Sequence, residues 1–98
     1  MAGKLISITP STDGIHKYDA RFETDAGREK TVRFGAKGYE DYTQHHDTDR
    51  RRLYIERHKA NENWSKPDSP GALSRFILWG ESTSLARNIA AFKKRFNL

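Results

Sequence analysis

The chain has 98 residues, with 18 Lys and Arg against 13 Asp and Glu, so its formal net charge is +5. This length predicts a single domain over residues 1–98, and the lack of cysteine excludes disulfides, thiolate zinc sites and a cysteine nucleophile. No apolar run approaches the roughly 18 residues of a membrane helix and the start has no signal-peptide core, so we expect a protein that is neither secreted nor membrane-bound.

Residues 1–35 predict an antiparallel β-meander. Residues 4–9 are rich in β-forming side chains and end at Pro10, and residues 15–24 alternate strictly between apolar and charged. Gly27 suits the positive φ of a tight turn, after which residues 29–34 return with the same alternation. A period of two predicts half-buried strands with one charged face. The inward side chains are expected to be Tyr18, Ala20, Phe22, Thr24, Val32 and Phe34.

Residues 35–38 break the pattern, residues 39–46 predict an ordered loop, and a helix follows over 47–63. Asp47 or Thr48 can cap this helix, and no glycine or proline interrupts it. Leu53 and Ala60 form a small apolar face, with Arg50, Tyr54, Arg57 and Asn61 as an adjoining stripe. That face is too small to anchor the helix alone, so Tyr54, Trp64 and arginine stems must supply further contact.

Two more helices are predicted over 70–79 and 83–96. Ser69 and Pro70 are the expected cap and first residue of the former, which is the most apolar segment of the chain, and Gly80 suits its C-terminal cap. In the latter, capped by Ser82 or Thr83, the apolar spacing is strongly helical and is set by Leu85, Ile89, Phe92 and Phe96. Three strands followed by three helices predict an α+β fold, with the helices packed on one face of a three-stranded antiparallel sheet.

No constellation predicts catalysis, and we expect neither an enzyme nor a cofactor. The loop 35–38 lacks the ending of a phosphate-binding loop. His45 and His46 with Asp47, Asp49 and His58 are the only metal-like group, but neighbouring histidines point apart and His58 lies a helix length away, so no metal site is predicted. His46, His58 and Asn61 fit a ββα-metal nuclease poorly, and no serine lies in a nucleophile elbow.

The positive charge is unevenly distributed along the chain. Residues 1–44 balance seven bases with seven acids, whereas residues 45–98 hold eleven bases and six acids, and residues 82–98 hold no acid. Clustered cations attract polyanions, although basic helix faces are also often simply solvated. Tyr54, His58 and Trp64 offer surfaces on which bases could stack. The candidate nucleic-acid-binding residues are Arg50, Arg51, Arg52, Arg57, Lys59, Lys93, Lys94 and Arg95.

A specific block runs from Thr31 to His58 and reads FGAxGYxDYTxHxD at its centre; Glu62-Asn63-Trp64, Gly71-Ala72, Ser74-Arg75 and Leu78-Trp79 follow it. Over about residues 30–82 the chain resembles a family of small uncharacterised proteins encoded by the nucleocytoplasmic large DNA viruses of algae and amoebae. The resemblance carries over no functional residue, because the family has no assigned function. It implies a viral protein located in the cytoplasm or nucleus of an infected host cell, or in the virion.

Two functions remain open at this point. The first is a small basic viral accessory protein that binds DNA or RNA non-specifically, mostly through phosphates. The alternative is a minor virion or capsid-associated interaction module whose basic face meets an acidic protein surface. The sequence does not determine the oligomeric state.

Overall fold

A computed structural model describes the backbone of residues 2–98 and confirms the α+β fold class. The three strands are β1 (Ala2–Pro10), β2 (His16–Thr24) and β3 (Glu29–Ala36). They form one antiparallel sheet in the order β1-β2-β3, with irregular register in β1 and Tyr18 opposite Phe34 between β2 and β3.

The alternation of the sequence determines which sheet face is buried. Ala20, Phe22, Val32 and Phe34 are buried as predicted, while Tyr18 and Thr24 are half-buried. The turn at Gly27 has a φ of 81°, which a glycine adopts without steric cost. The other face carries charges that pair with each other, and these pairs join Arg21 to Glu29 and Arg33 to Asp19.

The helical half contains more elements than the sequence predicted. A short helix, α1 (Tyr42–His45), lies where we expected a loop, and Asp41 caps it by accepting from Thr43 N–H at 2.9 Å. Helix α2 (Thr48–Lys59) begins at the predicted cap, Asp47, but ends four residues before the predicted boundary. Helix α4 (Leu85–Arg95) is capped by Ser84 rather than by Ser82 or Thr83.

The segment predicted as one helix over 70–79 has two parts. Ser69 caps a single α-helical turn, α3 (Pro70–Leu73), which continues as a π-helix (Ser74–Leu78). The wider turn is closed by Trp79 N–H donating to Ser74 O at 2.9 Å. Over so short a segment the apolar pattern of a π-helix cannot be distinguished from that of an α-helix, so the sequence predicted an α-helix here.

Gly80 follows the π-helix and does not have the left-handed conformation that we expected of a C-cap. It is required by close packing instead, since a Cβ at this position would lie 2.4 Å from Phe76 O. The buried Asn88 of α4 fixes the same turn by donating to Ile77 O at 2.8 Å and to Ser82 O at 2.7 Å, while accepting from Ser82 N–H at 3.1 Å.

The hydrophobic core lies between the sheet and the last two helical segments. Leu73, Ile77 and Leu78 of α3 and the π-helix pack on the sheet, and Phe92 of α4 completes the core. Helix α2 contributes no buried residue. Of the three predicted helices, two therefore build the core, while α2 is attached to their outer side.

Candidate nucleic-acid interface

The inner face of α2 is not the predicted one. Leu53 is 47% exposed and Ala60 is also exposed. The half-buried side chains of α2 are instead Arg51, Tyr54, Ile55 and His58, a helical stripe at spacings of three and four. The sequence pattern predicts this stripe only when an arginine is allowed at an inward-facing position of the helix.

Arg51 binds the protein itself. Its Nε donates to Gly80 O at 2.8 Å and to Trp79 O at 3.3 Å, and its guanidinium lies 5.6 Å from the centre of the Tyr42 ring. Arg51 was named from the sequence as a candidate nucleic-acid-binding residue, but its side chain is half-buried against the fold. The guanidinium satisfies carbonyl groups left free at the end of the π-helix, which is a structural role.

The other two arginines of the run reach solvent. Arg50 Nη1 lies 3.9 Å from Glu40 Oε1, and Arg52 Nη1 lies 3.4 Å from Glu56 Oε2 one turn along α2. All four side chains are at least half exposed. Such surface pairs contribute only about 0–1 kcal/mol each, so either arginine can exchange its carboxylate for a phosphate at little cost.

The remaining candidate cations have no carboxylate within 4.0 Å among the residues that the structure describes; they are Arg57, Lys59, Lys93, Lys94 and Arg95. All five are exposed and lie in the last turns of α2 and α4. The negative end of a helix dipole stabilises cations there by about 0.3–1 kcal/mol each. Their charge is thus accommodated by the fold but not neutralised by acidic neighbours.

The aromatic residues of α2 are used within the protein. Tyr54 stacks on Trp79 at 4.3 Å between ring centres and on His58 at 4.2 Å. Two rings stacked on a third at these spacings occupy its opposite faces, so Tyr54 has no free face. Burial, with a smaller contribution from the charge of Glu62, raises the pKa of Tyr54 to about 12.

Neither of the other expected stacking surfaces is an open platform. His58 is stacked on Tyr54 and its Nδ1 is paired with Glu62. Trp64 packs edge-on against Phe76, and the Arg75 guanidinium lies 5.3 Å from the Trp64 ring centre. An exposed aromatic ring is found elsewhere, at Tyr39, which is 75% exposed in the loop after β3.

Tyr39 lines a groove of about 530 Å³ between that loop and α2, which we call the α2 groove. Arg50, Leu53 and Arg57 line its helical wall at spacings of three and four. The buried ion pair of Lys17 with Asp41, at 2.6 Å, also lines it. The α2 groove therefore combines two guanidiniums with exposed apolar and aromatic surface, the combination that single-stranded nucleic acids contact. The sequence reasoning missed Tyr39 and Leu53 as surface residues of this site.

Within residues 2–98, no three His, Asp or Glu side chains are grouped as metal ligands would be, and no helix is long and apolar enough to cross a membrane. His45 has a different function in the structure. Its Nδ1 accepts from Asp47 N–H at 2.9 Å, which helps to fix the connection between α1 and α2. His46 takes a left-handed conformation at the end of α1, with a φ of 57°.

Comparison with known proteins adds one assignment. Neither a curated protein nor a solved structure matches the chain. A family model does match, over residues 6–58, which cover most of the β-meander, the loop after β3, α1 and nearly all of α2. Since this match covers more than half of the sequence, the chain belongs to DUF5754, a family of unknown function.

Proposed function

We propose that the protein binds DNA or RNA non-specifically, through phosphate contacts made by the exposed cations of α2 and α4. The observation that carries this proposal is the contrast between the two sides of the fold. Residues 1–44, which include the sheet, contain equal numbers of bases and acids, and Arg21 and Arg33 on the outer sheet face are paired with acids. Residues 82–98 contain no Asp or Glu, and no carboxylate lies within 4.0 Å of Arg57, Lys59, Lys93, Lys94 or Arg95 among the described residues. A surface of this kind attracts a polyanion without reading its sequence.

The α2 groove gives the proposal a preferred substrate. Duplex binding needs only a cationic surface, but an exposed tyrosine beside two guanidiniums also offers a place for an unpaired base to stack. We therefore expect single-stranded probes to bind more tightly than duplexes of equal length. With the resemblance to proteins of large DNA viruses, the proposed setting is that of a small viral accessory protein in an infected cell.

A salt titration with matched variants tests the proposal. Each phosphate contact contributes about −0.9 to the slope of log affinity against log salt on duplex DNA and about −0.7 on single strands. Lys93→Gln with Lys94→Gln should flatten the slope by up to about 1.8 units on duplex DNA. Lys4→Gln with Arg28→Gln removes the same charge from the sheet half, where both residues are exposed, and should change the slope much less.

Two results would count against nucleic-acid binding. One is the absence of any salt-dependent binding to duplex or single-stranded probes. The other is an equal change of slope in the two double variants, which would mean that only net charge matters. In either case the acidic-protein alternative, a virion-associated interaction module, becomes the better explanation of the basic helices.

A further inference from the structure

A second concave surface lies between the π-helix and α4 and was not among the candidate sites. It is a cavity of about 550 Å³, within the size range of small-ligand pockets. Arg75 of the π-helix lines one side, and Arg87 and Arg95 of α4 line the other. On α4, the small side chain of Ala91 lies midway between these two arginines and leaves room between them. We call this cavity the arginine pocket.

The arginine pocket carries an excess of positive charge. Glu81 is the single acid among its lining residues, against three guanidiniums, and no carboxylate lies within 4.0 Å of any of the three among the described residues. Burial first, and then the charges of Arg51 and Arg95, lower the pKa of Arg75. Like charges held together in this way repel each other, and an anion relieves the repulsion.

Arg75 also has a donor that the protein does not use. Its Nη1 donates to Trp79 O at 3.1 Å, but its Nε is buried and has no hydrogen-bond partner among residues 2–98. A buried donor without a partner is uncommon, since it costs about 1–3 kcal/mol. Because this Nε is buried, an anion in the pocket accepts from it only when the guanidinium turns towards the pocket.

Two of the guanidiniums are held in place by aromatic rings. Arg75 lies 5.3 Å from the centre of the Trp64 ring and 5.0 Å from that of Phe76, and Arg95 lies 4.2 Å from the centre of Phe76. A guanidinium lying over a ring keeps the N–H donors on its edge available. Pre-ordering of long side chains lowers the entropy that binding costs.

From this geometry we infer that Arg75, Arg87 and Arg95 form a binding site for phosphate groups. A guanidinium group can bind a phosphate through two parallel, charge-assisted hydrogen bonds, because its N–H donors are spaced to match two phosphate oxygens. Three arginines and one glutamate give the pocket a net charge of about +2, which two negative charges on a ligand would balance. A terminal phosphate carries two such charges, and so do two adjacent phosphodiesters. The source of these phosphate groups rests on the proposed function: we expect it to be the bound nucleic acid.

Inorganic pyrophosphate is the probe for the pocket itself. In a two-dimensional NMR titration, the Nε–H signals of Arg75, Arg87 and Arg95 should shift together and saturate at millimolar pyrophosphate. Arg87→Gln with Arg95→Gln should abolish saturation, whereas Lys93→Gln with Lys94→Gln, which removes equal charge from the same helix, should retain it. Non-saturating shifts, or equal loss in the two double variants, would overturn the inference. Circular dichroism confirms that each variant is folded.

Nucleic-acid binding then separates the two proposals. The Arg87→Gln, Arg95→Gln variant should bind DNA about tenfold more weakly than the Lys93→Gln, Lys94→Gln variant at the same salt. Arg87→Lys with Arg95→Lys should show only part of this loss. A 5′-phosphorylated strand that binds more tightly than its 5′-hydroxyl counterpart would identify a terminal phosphate as the ligand, and equal binding would identify the phosphodiesters. If pyrophosphate binds as expected but nucleic acid does not, the proposed function is wrong and the phosphate site stands. If nucleic acid binds and both double variants weaken it equally, the arginine pocket does not hold the phosphates of the nucleic acid, and the proposed function stands.

Discussion

Replacing Arg51 should destabilise the protein far more than replacing its neighbour Arg52. Both substitutions, Arg51→Gln and Arg52→Gln, remove one positive charge from the first turns of α2. In the former, Gly80 O loses its 2.8 Å bond from the guanidinium, whereas Trp79 O keeps its bond from Arg75. In the latter, the loss among the described residues is an exposed pair with Glu56.

The expected magnitudes differ severalfold. A hydrogen bond to a charged group contributes about 1.5–3 kcal/mol, and the cation–π contact with Tyr42 adds about 0.5–1 kcal/mol. Arg51→Gln should thus cost about 2–4 kcal/mol, which for a domain of this size lowers the Tm by about 8 °C or more. An exposed pair one turn apart contributes only about 0.3–0.5 kcal/mol, so Arg52→Gln should lower the Tm by no more than about 4 °C.

Thermal unfolding followed by circular dichroism measures both values, and a salt titration of DNA binding below the lower Tm supplies a second readout. If Arg52 contacts phosphate, its replacement flattens the salt slope; Arg51→Gln, while folded, should leave that slope unchanged. Equal and small Tm shifts in the two variants would refute the inward position of Arg51. A flattened slope in Arg51→Gln alone would return Arg51 to the binding surface.

Three further results are expected. Asn88→Ala should lower the free energy of unfolding by about 2–3 kcal/mol, measured by urea titration, because Ile77 O and Ser82 O lose their donor inside the protein; a loss below about 0.5 kcal/mol would contradict this. Gly80→Ala should cost about 1–3 kcal/mol in the same assay, because its Cβ would lie 2.4 Å from Phe76 O and 2.6 Å from the Asn88 side chain, and a neutral effect would show that the turn can relax. In the folded protein the pKa of Tyr54 is raised to about 12, whereas a tyrosine in the unfolded chain has a pKa near 10. Because the folded state binds the proton more tightly, the free energy of unfolding should fall as the pH rises from 10 towards 12. Tyr54→Phe should weaken that fall without altering the pH dependence below 10, and an absorbance titration at 295 nm should show one late-titrating phenol fewer.

The strands and α4 were predictable because their residues obey a simple periodicity. The alternation through Ala20 and Phe22 marked the buried sheet face, and the spacing of Leu85, Ile89, Phe92 and Phe96 marked the inner side of α4. In both cases the burial of apolar surface stabilises the element more than its other interactions do. The hydrophobicity pattern alone therefore predicts which side chains face inward.

Helix α2 and its site were less predictable for the same physical reason. Arg51 is attached through carbonyl acceptors that lie 28 and 29 residues further along the chain, and nothing local in the sequence indicates them. An arginine stem suits either a solvated or a half-buried position, so the pattern favoured Leu53 as the inner residue. Arg75 was overlooked because it lies within the most apolar segment, where the sequence indicated only a core helix.

The way in which α2 is attached has a consequence for how the molecule opens. Because α2 has no fully buried residue and is fixed by a guanidinium and a stack of rings, its detachment exposes less apolar surface than unfolding of the sheet and α4 does. Opening of this kind therefore has a smaller heat-capacity change and a weaker dependence on urea than unfolding of the core. A detached helix of twelve residues is marginal in water, so the backbone amides of α2 then exchange with solvent. Their hydrogen-exchange rates should therefore rise less steeply with urea concentration than the rates in the sheet and α4, which makes α2 a separately opening unit.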